Sequence, residues 1–491
     1  MNNINPFLRS ILGGVALCVM ALIVMCGCTM IPKYHQPPPN ISSSWPSVPG
    51  FPKTETTNAT IETADIGWRD FFMDPRLQRI IELALSNNPS LLAATYNVQQ
   101  ARSLYHVQMS ALVPTVSVAG SGQRTRTPNV YTPPGATNIV PAVTFTEYNA
   151  NVAMASYEVD LFGRVRSLTR QALETYFATA AAQKSAQIAL VAQIGAAYVT
   201  VQESGEQLGI ARDMLKAAQQ SYYLTQRSFE AGEASQFDLN NASTLLQNTT
   251  ASVSTYAQQY AEAMDNLTLL AGGPLPPDLL PTGPFNPRVC LLDVPAGLPS
   301  DLIARRPDIM EAEHQLKAAN ANIGAARAAF FPTVTLTGSA GYASTTLESL
   351  FVPGSQAWSF NPQIVWPIFD LGTAYHQLKA DVAAKQAQAA NYQSTVQSAF
   401  KEVADDLAVR QTVESQLTVN ESLVETDQQS YKLTKAGFDT GVNSALDLNV
   451  TLQTLDSARL ALIQAQYSRL ISLINLYQAL GGGWREETVQ R

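Results

Sequence analysis

The stretch ALVPTVSV at residues 111–118 recurs as AFFPTVTL at residues 329–336, so that Pro332 follows Pro114 by 218 positions. A second pair, SFEAGEASQFDLN at 228–240 and GFDTGVNSALDLN at 437–449, is separated by 209 positions. Self-similarity at a long, nearly constant spacing indicates that one structural unit is present twice. We therefore predict a first repeat over residues 67–283, a second over 284–483, and a short tail at 484–491.

The two offsets differ by nine residues, which indicates a longer connection in the first repeat. The segment Thr127–Pro141 is rich in Pro, Gly, Thr and Asn, as surface loops are, and loops tolerate such changes in length. We place the extra residues there.

Proline is absent between Pro141 and Pro274 and again after Pro367, and both windows are rich in good helix formers. Two helical hairpins are predicted, with their turns near Gly232 and Gly441, where glycine suits a left-handed residue and a following serine can cap the returning helix. The predicted outgoing helices are 163–229 and 373–438, the returning helices are 236–271 and 445–480, and two shorter helices are 86–113 and 299–331.

At 1.5 Å per residue the first outgoing helix would span roughly 100 Å and its return only roughly 54 Å. A short helix must therefore stack on the end of each returning helix to match the length of the outgoing one. We expect helix 299–331 of the second repeat to continue the return of the first, and helix 86–113 of the first repeat to continue the return of the second.

Four segments alternate like strands: residues 115–124, 145–159, 333–344 and 358–369. About ten residues of alternation suit a tilted transmembrane strand. Four strands cannot close a barrel, and an open edge in lipid leaves backbone groups unpaired. The chain must then oligomerise: two copies would give eight strands with a filled interior, and three would give twelve, the smallest number expected to leave an aqueous lumen.

The amino-terminal region reads as a secretory signal over residues 1–27, with Arg9 followed by an apolar run from Ile11 to Met25 that is too short for a comfortable membrane helix. Gly27 and Cys28 end this run and resemble a bacterial lipobox, in which the cysteine is acylated. The alternative is an ordinary signal peptide with a chance cysteine. Residues 28–66, rich in Pro and Ser, are predicted to form a lipid anchor and an extended, poorly ordered leash.

Composition argues against several classes of protein. The formal net charge is −8 and no basic run occurs, which is unlike a nucleic-acid binder. The four histidines lack metal-ligand spacing, and we find no motif for a nucleophile, a zinc enzyme or a phosphate loop. We predict no enzyme activity, no metal and no cofactor other than a covalent lipid. Cys290, the one other cysteine left after signal cleavage, is predicted to be buried.

Several motifs together resemble the TolC-like outer-membrane factors, specifically the OprM-like, NodT-type lipoprotein branch. They are WRDFF at 68–72, YEVDLFGR at 157–164, RRPD at 305–308, AANANIGAARAAFFP at 318–332 and PIFD at 367–370. With the hairpin repeat, the likeness covers nearly the whole mature chain.

This resemblance implies a mixed α/β membrane protein: a homotrimer with a 12-stranded transmembrane β-barrel, four strands from each chain, continued by a long periplasmic α-helical barrel. It implies a role as the exit duct of a tripartite efflux system, with a periplasmic adaptor and an inner-membrane RND transporter as partners. It also implies a diacylglycerol thioether and an N-acyl chain on Cys28. Two alternatives are a duct for protein or toxin secretion and a non-conducting structural lipoprotein of the envelope.

Family members narrow the periplasmic tip with acidic residues, so the hairpin turns are the candidate gate and adaptor contact. The candidates in this chain are Glu230, Gly232, Glu233, Ser235, Asp238, Asp439, Gly441, Asn443 and Asp447. Asn443 stands where OprM-like proteins often have Asp. For Asp238 and Asp447 the competing interpretation is that each only favours the positive end of the returning helix.

Overall fold

The computed structural model describes residues 29–42, 44–46, 48–50, 63–128, 142–281, 283–292, 294–295 and 303–488. The predicted signal peptide, Cys28 and most of the loop at 127–141 lie outside the described residues. The helices are α1 Trp68–Phe71, α2 Pro75–Asn87, α3 Pro89–Ser110, α4 Arg164–Glu230, α5 Gln236–Ala271, α6 Pro307–Ala328, α7 Leu371–Asp439 and α8 Ala445–Ala479. The strands are β1 Val116–Thr127, β2 Val143–Val159, β3 Thr333–Ser344 and β4 Gln356–Val365.

The chain divides into two compact units. The sheet unit comprises Met1–Gln36, Gln99–Phe177 and Glu313–Ala390, and the helical unit comprises Pro37–Val98, Ala178–Ala312 and Asn391–Arg491.

The sheet unit contains one four-stranded antiparallel sheet in the order β1-β2-β3-β4. Its register pairs Val116 with Met154, Tyr148 with Ser344 and Tyr342 with Gln356, and a bulge interrupts β2 between Met154 and Tyr157. Strands β1 and β4 are the edges, so each has a neighbour on one side. Their apolar side chains are exposed in the single chain; Val118 is 83% and Trp358 80% accessible.

The last strand ends earlier than the sequence suggests. We expected it to reach Phe369, but β4 ends at Val365 and a short 3-10 turn occupies Ile368–Asp370. Pro367 lies directly before this turn, where its fixed φ suits a chain that has left the ladder.

The helical unit is built on a core that draws residues from α1, α2, α3, α4, α5, α7 and α8. Its fully buried members include Phe71, Tyr198, Leu267 and Tyr477. The ring of Phe71 stacks on that of Tyr477 at 3.9 Å, and the Tyr477 hydroxyl donates to the Ile66 carbonyl at 2.8 Å. Cys290 lies fully buried in this core, as predicted, and burial raises the pKa of its thiol to about 12.

The described part of the leash is more ordered than predicted. Trp45 is buried and stacks on Phe400 at 5.0 Å, and the Val48 N–H donates to Gln411 at 3.1 Å. An indole ring buries a large apolar area, which holds this part of the segment against α7 despite its composition.

The carboxyl ends of α5 and α8 are closed by the starts of α3 and α6. Asn88 Nδ2 donates to the Leu270 carbonyl at 2.9 Å, and Arg306 Nη1 donates to the Ala479 carbonyl at 2.8 Å. The last carbonyls of a helix have no partner within it, so an outside donor is needed. Residues 88 and 306 hold equivalent places in the two repeats, as do residues 270 and 479.

This pairing corrects the predicted one. The return of the first repeat meets the short helix of the same repeat, and the second repeat does the same, whereas we expected an exchange between repeats. The short helices also begin later than predicted, at Pro89 and Pro307. Proline at the first helical position has no N–H to leave unsatisfied.

Among the described residues, none of the helices combines the length and apolar character needed to cross a bilayer.

The Tyr477 contacts make a stability prediction. Tyr477→Phe keeps the stack and loses one buried hydrogen bond, at a cost of about 0.5–1.5 kcal/mol, whereas Tyr477→Ala removes the ring and should cost about 3–5 kcal/mol. Thermal unfolding in mild detergent, followed by circular dichroism, should give apparent midpoints in the order wild type, Tyr477→Phe, Tyr477→Ala. The control Tyr223→Ala, at a ring that is 54% exposed, should match wild type. Equal midpoints for all four proteins would contradict the role of this core.

Candidate functional site: the two hairpin tips

Both hairpins turn through the same backbone geometry. Gly232 and Gly441 have φ values of +80° and +77°, in the left-handed region that favours glycine. Gly232 N–H donates to the Phe229 carbonyl and Gly441 N–H to the Phe438 carbonyl, each at 3.0 Å. The predicted positions of the turns at 232 and 441 match the structure.

Each returning helix opens with a reciprocal capping box. Ser235 Oγ accepts from the Asp238 N–H while the Asp238 carboxylate accepts from the Ser235 N–H and hydroxyl; Ser444 and Asp447 repeat the arrangement. These hydrogen bonds from the serines lower the pKa of both Asp238 and Asp447. The two aspartates are therefore engaged in helix capping, and both remain exposed.

The other acidic candidates lie on the outgoing helices and in the first turn. Glu230 forms an exposed ion pair with Arg227 at 3.2 Å, and Glu233 and Asp439 are exposed. Glu230 and Asp439 hold equivalent repeat positions, whereas Glu233 is matched by Val442. Among the acidic candidates, these three are exposed and take no part in a capping box.

Asn443 is folded back into its own hairpin. Its Nδ2 donates to the Thr434 carbonyl at 3.2 Å, and a Cβ at position 437 would lie 2.3 Å from that nitrogen. Gly437 thus makes room for the asparagine. In the first hairpin the equivalent residues are Ser228 and Ala234, so a larger residue at one position accompanies a smaller one at the other.

The tips also expose large apolar side chains. Phe237 is 69%, Leu433 74% and Val442 79% accessible. Exposed apolar groups clustered with charged ones are typical of protein-binding surfaces. Within the described part of the chain, no group of three or more His, Cys, Asp or Glu residues could hold a metal ion.

A family model described as outer membrane efflux protein matches residues 80–273 and 298–482. The chain belongs to the outer membrane efflux protein family. The resemblance read from the motifs is thereby confirmed. The match covers both hairpins and all four strands.

Curated relatives agree with this family. The chain is 43% identical over 476 residues to the toluene efflux pump outer membrane protein TtgC of Pseudomonas putida, covering 97% of this chain and 96% of the relative. It is 36% identical over 473 residues to the outer membrane protein OprJ of Pseudomonas aeruginosa, covering 96% of each.

Solved structures give the same result. The open state of the Neisseria gonorrhoeae MtrE outer membrane channel superposes with a TM-score of 0.83 at 35% identity, over 94% of this chain and 100% of that chain. The Campylobacter jejuni CmeC outer membrane channel gives 0.83 at 25% identity, over 94% and 96%. The protein is accordingly an outer-membrane component of an efflux pump, and its fold is that of the outer membrane efflux channels.

The structural role of the RRPD motif in this efflux protein was not predicted from the sequence. Arg306 is buried, forms a two-pronged pair with Asp308 at 2.6 and 3.0 Å, and reaches Glu402 at 2.8 Å. Together with its bond to Ala479, these contacts make Arg306 the joint between α6, α7 and α8. A run of two arginines before Pro-Asp was the available signal, since proline at the first helical position puts residue 306 directly before a helix.

The Gly437 and Asn443 pair can be tested by a double-mutant cycle. Gly437→Ala should loosen the second tip, because the new methyl group overlaps Asn443 Nδ2. Gly437→Ala/Asn443→Ala, which imitates the first hairpin, should restore it. We expect coupling of about 0.5–3 kcal/mol in local opening, measured by hydrogen exchange of peptides spanning the turn. Peptides of the first tip serve as the internal control. Additive effects of the two substitutions would contradict the predicted overlap.

Proposed function

We propose that this efflux protein is the passive exit duct of a tripartite, RND-type pump, carrying small toxic solutes from the periplasm or the pump to the exterior. The observation that carries the proposal is the open four-stranded sheet with exposed apolar strands at both edges. In lipid each unpaired backbone group of an edge is strongly unfavourable, so the edges must pair with other copies. Three copies supply twelve strands and leave an aqueous lumen.

The internal duplication supports the helical part of this duct. Two hairpins with matching turns, matching capping boxes and matching end caps at Asn88 and Arg306 give each chain two equivalent wall segments. Three chains then provide six segments around one axis. The fold proposed is a 12-stranded transmembrane barrel continued by a periplasmic helical barrel.

The tips are the proposed gate and adaptor contact. Exposed Glu230, Glu233 and Asp439 supply negative charge, and exposed Phe237 and Val442 supply apolar contact area. A periplasmic adaptor would dock here and an inner-membrane transporter would deliver solutes. Relatives named for toluene, solvent and antibiotic efflux favour small solutes over exported proteins as cargo. A duct needs no catalytic group, and we propose none.

Cys28 is the proposed site of the lipid anchor, with a diacylglycerol thioether and an N-acyl chain. Several acyl chains together anchor a protein stably, at about 0.8 kcal/mol per buried methylene. The lipobox-like Gly27-Cys28 after the apolar run supports this assignment.

The duct is tested by isolating the full-length protein in mild detergent. We expect a trimer that dissociates on heating and forms pores in planar bilayers. A monodisperse monomer without conductance would overturn the proposed architecture, and a trimer without conductance would favour a structural lipoprotein.

The same bilayers test the charge at the tips. Glu230→Gln/Glu233→Gln/Asp439→Asn should lower cation selectivity in a salt gradient, because fixed carboxylates concentrate cations and salt screens them over about 10 Å at roughly 0.1 M. The matched control Glu262→Gln/Asp265→Asn/Glu421→Gln removes three exposed carboxylates outside the turns. Unchanged reversal potentials in the tip variant would place its three carboxylates away from the conduction path.

Lipidation is tested by intact mass. The mature wild-type protein should carry the mass of a diacylglycerol and one fatty acyl chain at its first residue, and Cys28→Ser should lack both. Cys290→Ser is the matched control and should keep the added mass. An unmodified wild-type amino terminus would exclude the anchor.

A further inference from the structure

The sheet unit contains a cleft of about 600 Å³ between the first turns of α4 and the middle of α6, with the amino-terminal segment 29–34 along it. We call it the basic cleft; the lining residues that matter here are Thr29, Arg166, Arg170, Glu174, Lys317 and Asn320. Its volume falls within the range of about 300–1,000 Å³ that holds small ligands.

The amino-terminal segment is held in the basic cleft by specific contacts. Asn320 Nδ2 donates to the Pro32 carbonyl at 2.8 Å, and the Tyr34 hydroxyl donates to Glu313 at 3.3 Å. Ile31 packs so closely on Gly324 that a Cβ there would lie 2.6 Å from Ile31 Cγ1. These contacts hold Thr29 at the lining of the cleft. A lipid on Cys28, joined to Thr29 by one peptide bond, would begin beside it.

The lining contains three positive side chains, Arg166, Arg170 and Lys317, and one carboxylate, Glu174. Arg166 is paired with Asp160 at 3.0 Å. Glu174 is only 2% exposed and binds Arg170 at 2.6 Å and His314 at 2.7 Å. Burial alone would raise the pKa of Glu174, but the hydrogen bond from His314 and the nearby positive charges lower it, so the group is ionised. Its charge is thus neutralised by groups at the cleft.

The cations keep donors for a ligand. The ion pairs of Arg170 with Glu174 and of Lys317 with Glu313, at 2.8 Å, use one donor each, while a guanidinium has five and an ammonium three. Arg170 is also 56% exposed, which leaves its guanidinium accessible. Two such groups suit the oxygens of a phosphate.

Asn320 supplies an independent sign of a ligand. Its Oδ1 is buried without a hydrogen-bond partner, and the residue is 3% exposed. The bond from Nδ2 to Pro32 fixes the orientation of the amide, so the oxygen is the atom that needs a partner. A buried acceptor is unfavourable when unpaired, and here it calls for a hydroxyl or ammonium donor.

We propose that the basic cleft binds the headgroup of an anionic glycerophospholipid of the phosphatidylglycerol class. The phosphate contacts Arg170 and Lys317, and a glycerol hydroxyl donates to Asn320 Oδ1. A glycerol headgroup supplies this hydroxyl donor without placing a further positive charge beside Arg170 and Lys317. The inference rests on the proposed lipid anchor at Cys28, which would keep the cleft at the level of the headgroups.

Binding is measured on the full-length protein in mild detergent with dihexanoyl-phosphatidylglycerol, by native mass spectrometry and calorimetry. Arg170→Gln/Lys317→Gln should weaken binding at least tenfold, because it removes two charges that contact the phosphate. Lys216→Gln/Lys401→Gln, which removes two exposed, ion-paired lysines of the helical unit, should leave the affinity unchanged. Equal affinity for wild type and Arg170→Gln/Lys317→Gln would overturn the proposal.

Two further ligands identify the source of the phosphate. Dihexanoyl-phosphatidylcholine has the phosphate but no hydrogen-bond donor on its headgroup, so it should bind at least tenfold more weakly. Asn320→Leu should remove that preference and would still report on the site if Arg170→Gln/Lys317→Gln failed to fold. Displacement of the lipid by an equal concentration of inorganic phosphate would make this a site for free phosphate and overturn the lipid assignment.

The test of lipid binding in the basic cleft is independent of the test of the proposed duct. Conductance of the same samples tests the duct, and lipid binding tests the cleft. A conducting protein that binds no phosphatidylglycerol would refute the inference alone. A protein that binds the lipid but does not conduct would refute the duct alone.

Discussion

The backbone hydrogen bonds at the edges of the sheet are the constraint on which the proposed assembly depends. β1 and β4 each pair with one neighbour, and both carry exposed apolar side chains such as Val118 and Trp358. In water such an edge invites aggregation, and in lipid its unpaired groups are still less favourable. In the proposed trimer, pairing with further copies resolves both problems at once. The proposed lumen would then follow from the number of strands, with no cavity needed inside one chain.

The backbone carbonyls at two helix ends are a second constraint, in the helical unit, because a helix cannot supply their hydrogen-bond donors itself. The last carbonyls of α5 and α8 receive donors from Asn88 and Arg306, which directly precede α3 and α6. The two repeats use different residue types for the same purpose: a neutral amide in one, and a guanidinium held by Asp308 and Glu402 in the other. The RRPD motif that helps to identify the family is therefore a structural joint in this chain.

At the tips, some of the candidate polar side chains form hydrogen bonds within their own hairpin, and others do not. Asp238 and Asp447 are held in capping boxes, and the amide of Asn443 is used within its own hairpin. Glu230, Glu233 and Asp439 are the exposed carboxylates that lie outside the capping boxes, and Glu230 is paired with Arg227. Two of the five candidate carboxylates are thus engaged in helix caps, although all five are exposed. The two hairpins are also unequal, because Val442 replaces Glu233 at the equivalent position.

The family, the two hairpins and the four strands could all be predicted from the sequence, because they depend on local or periodic signals. Glycine at a left-handed turn, serine before a returning helix and proline-free helical windows act within a few residues of where they occur. The 218- and 209-residue offsets likewise located Gly232 and Gly441 before any contact was known.

Tertiary structure alone decided which short helix meets which return helix, since that choice depends on side-chain donors far apart in sequence. We expected the repeats to exchange short helices, and the Asn88–Leu270 and Arg306–Ala479 contacts show that they do not. The order of the leash was decided in the same way, by Trp45 stacking on Phe400. So was the basic cleft, where Arg170 and Lys317 lie 147 positions apart and only packing brings them to one lining. Periodicity reports which face of an element is apolar, but a hydrogen bond between distant segments exists only once the chain has folded.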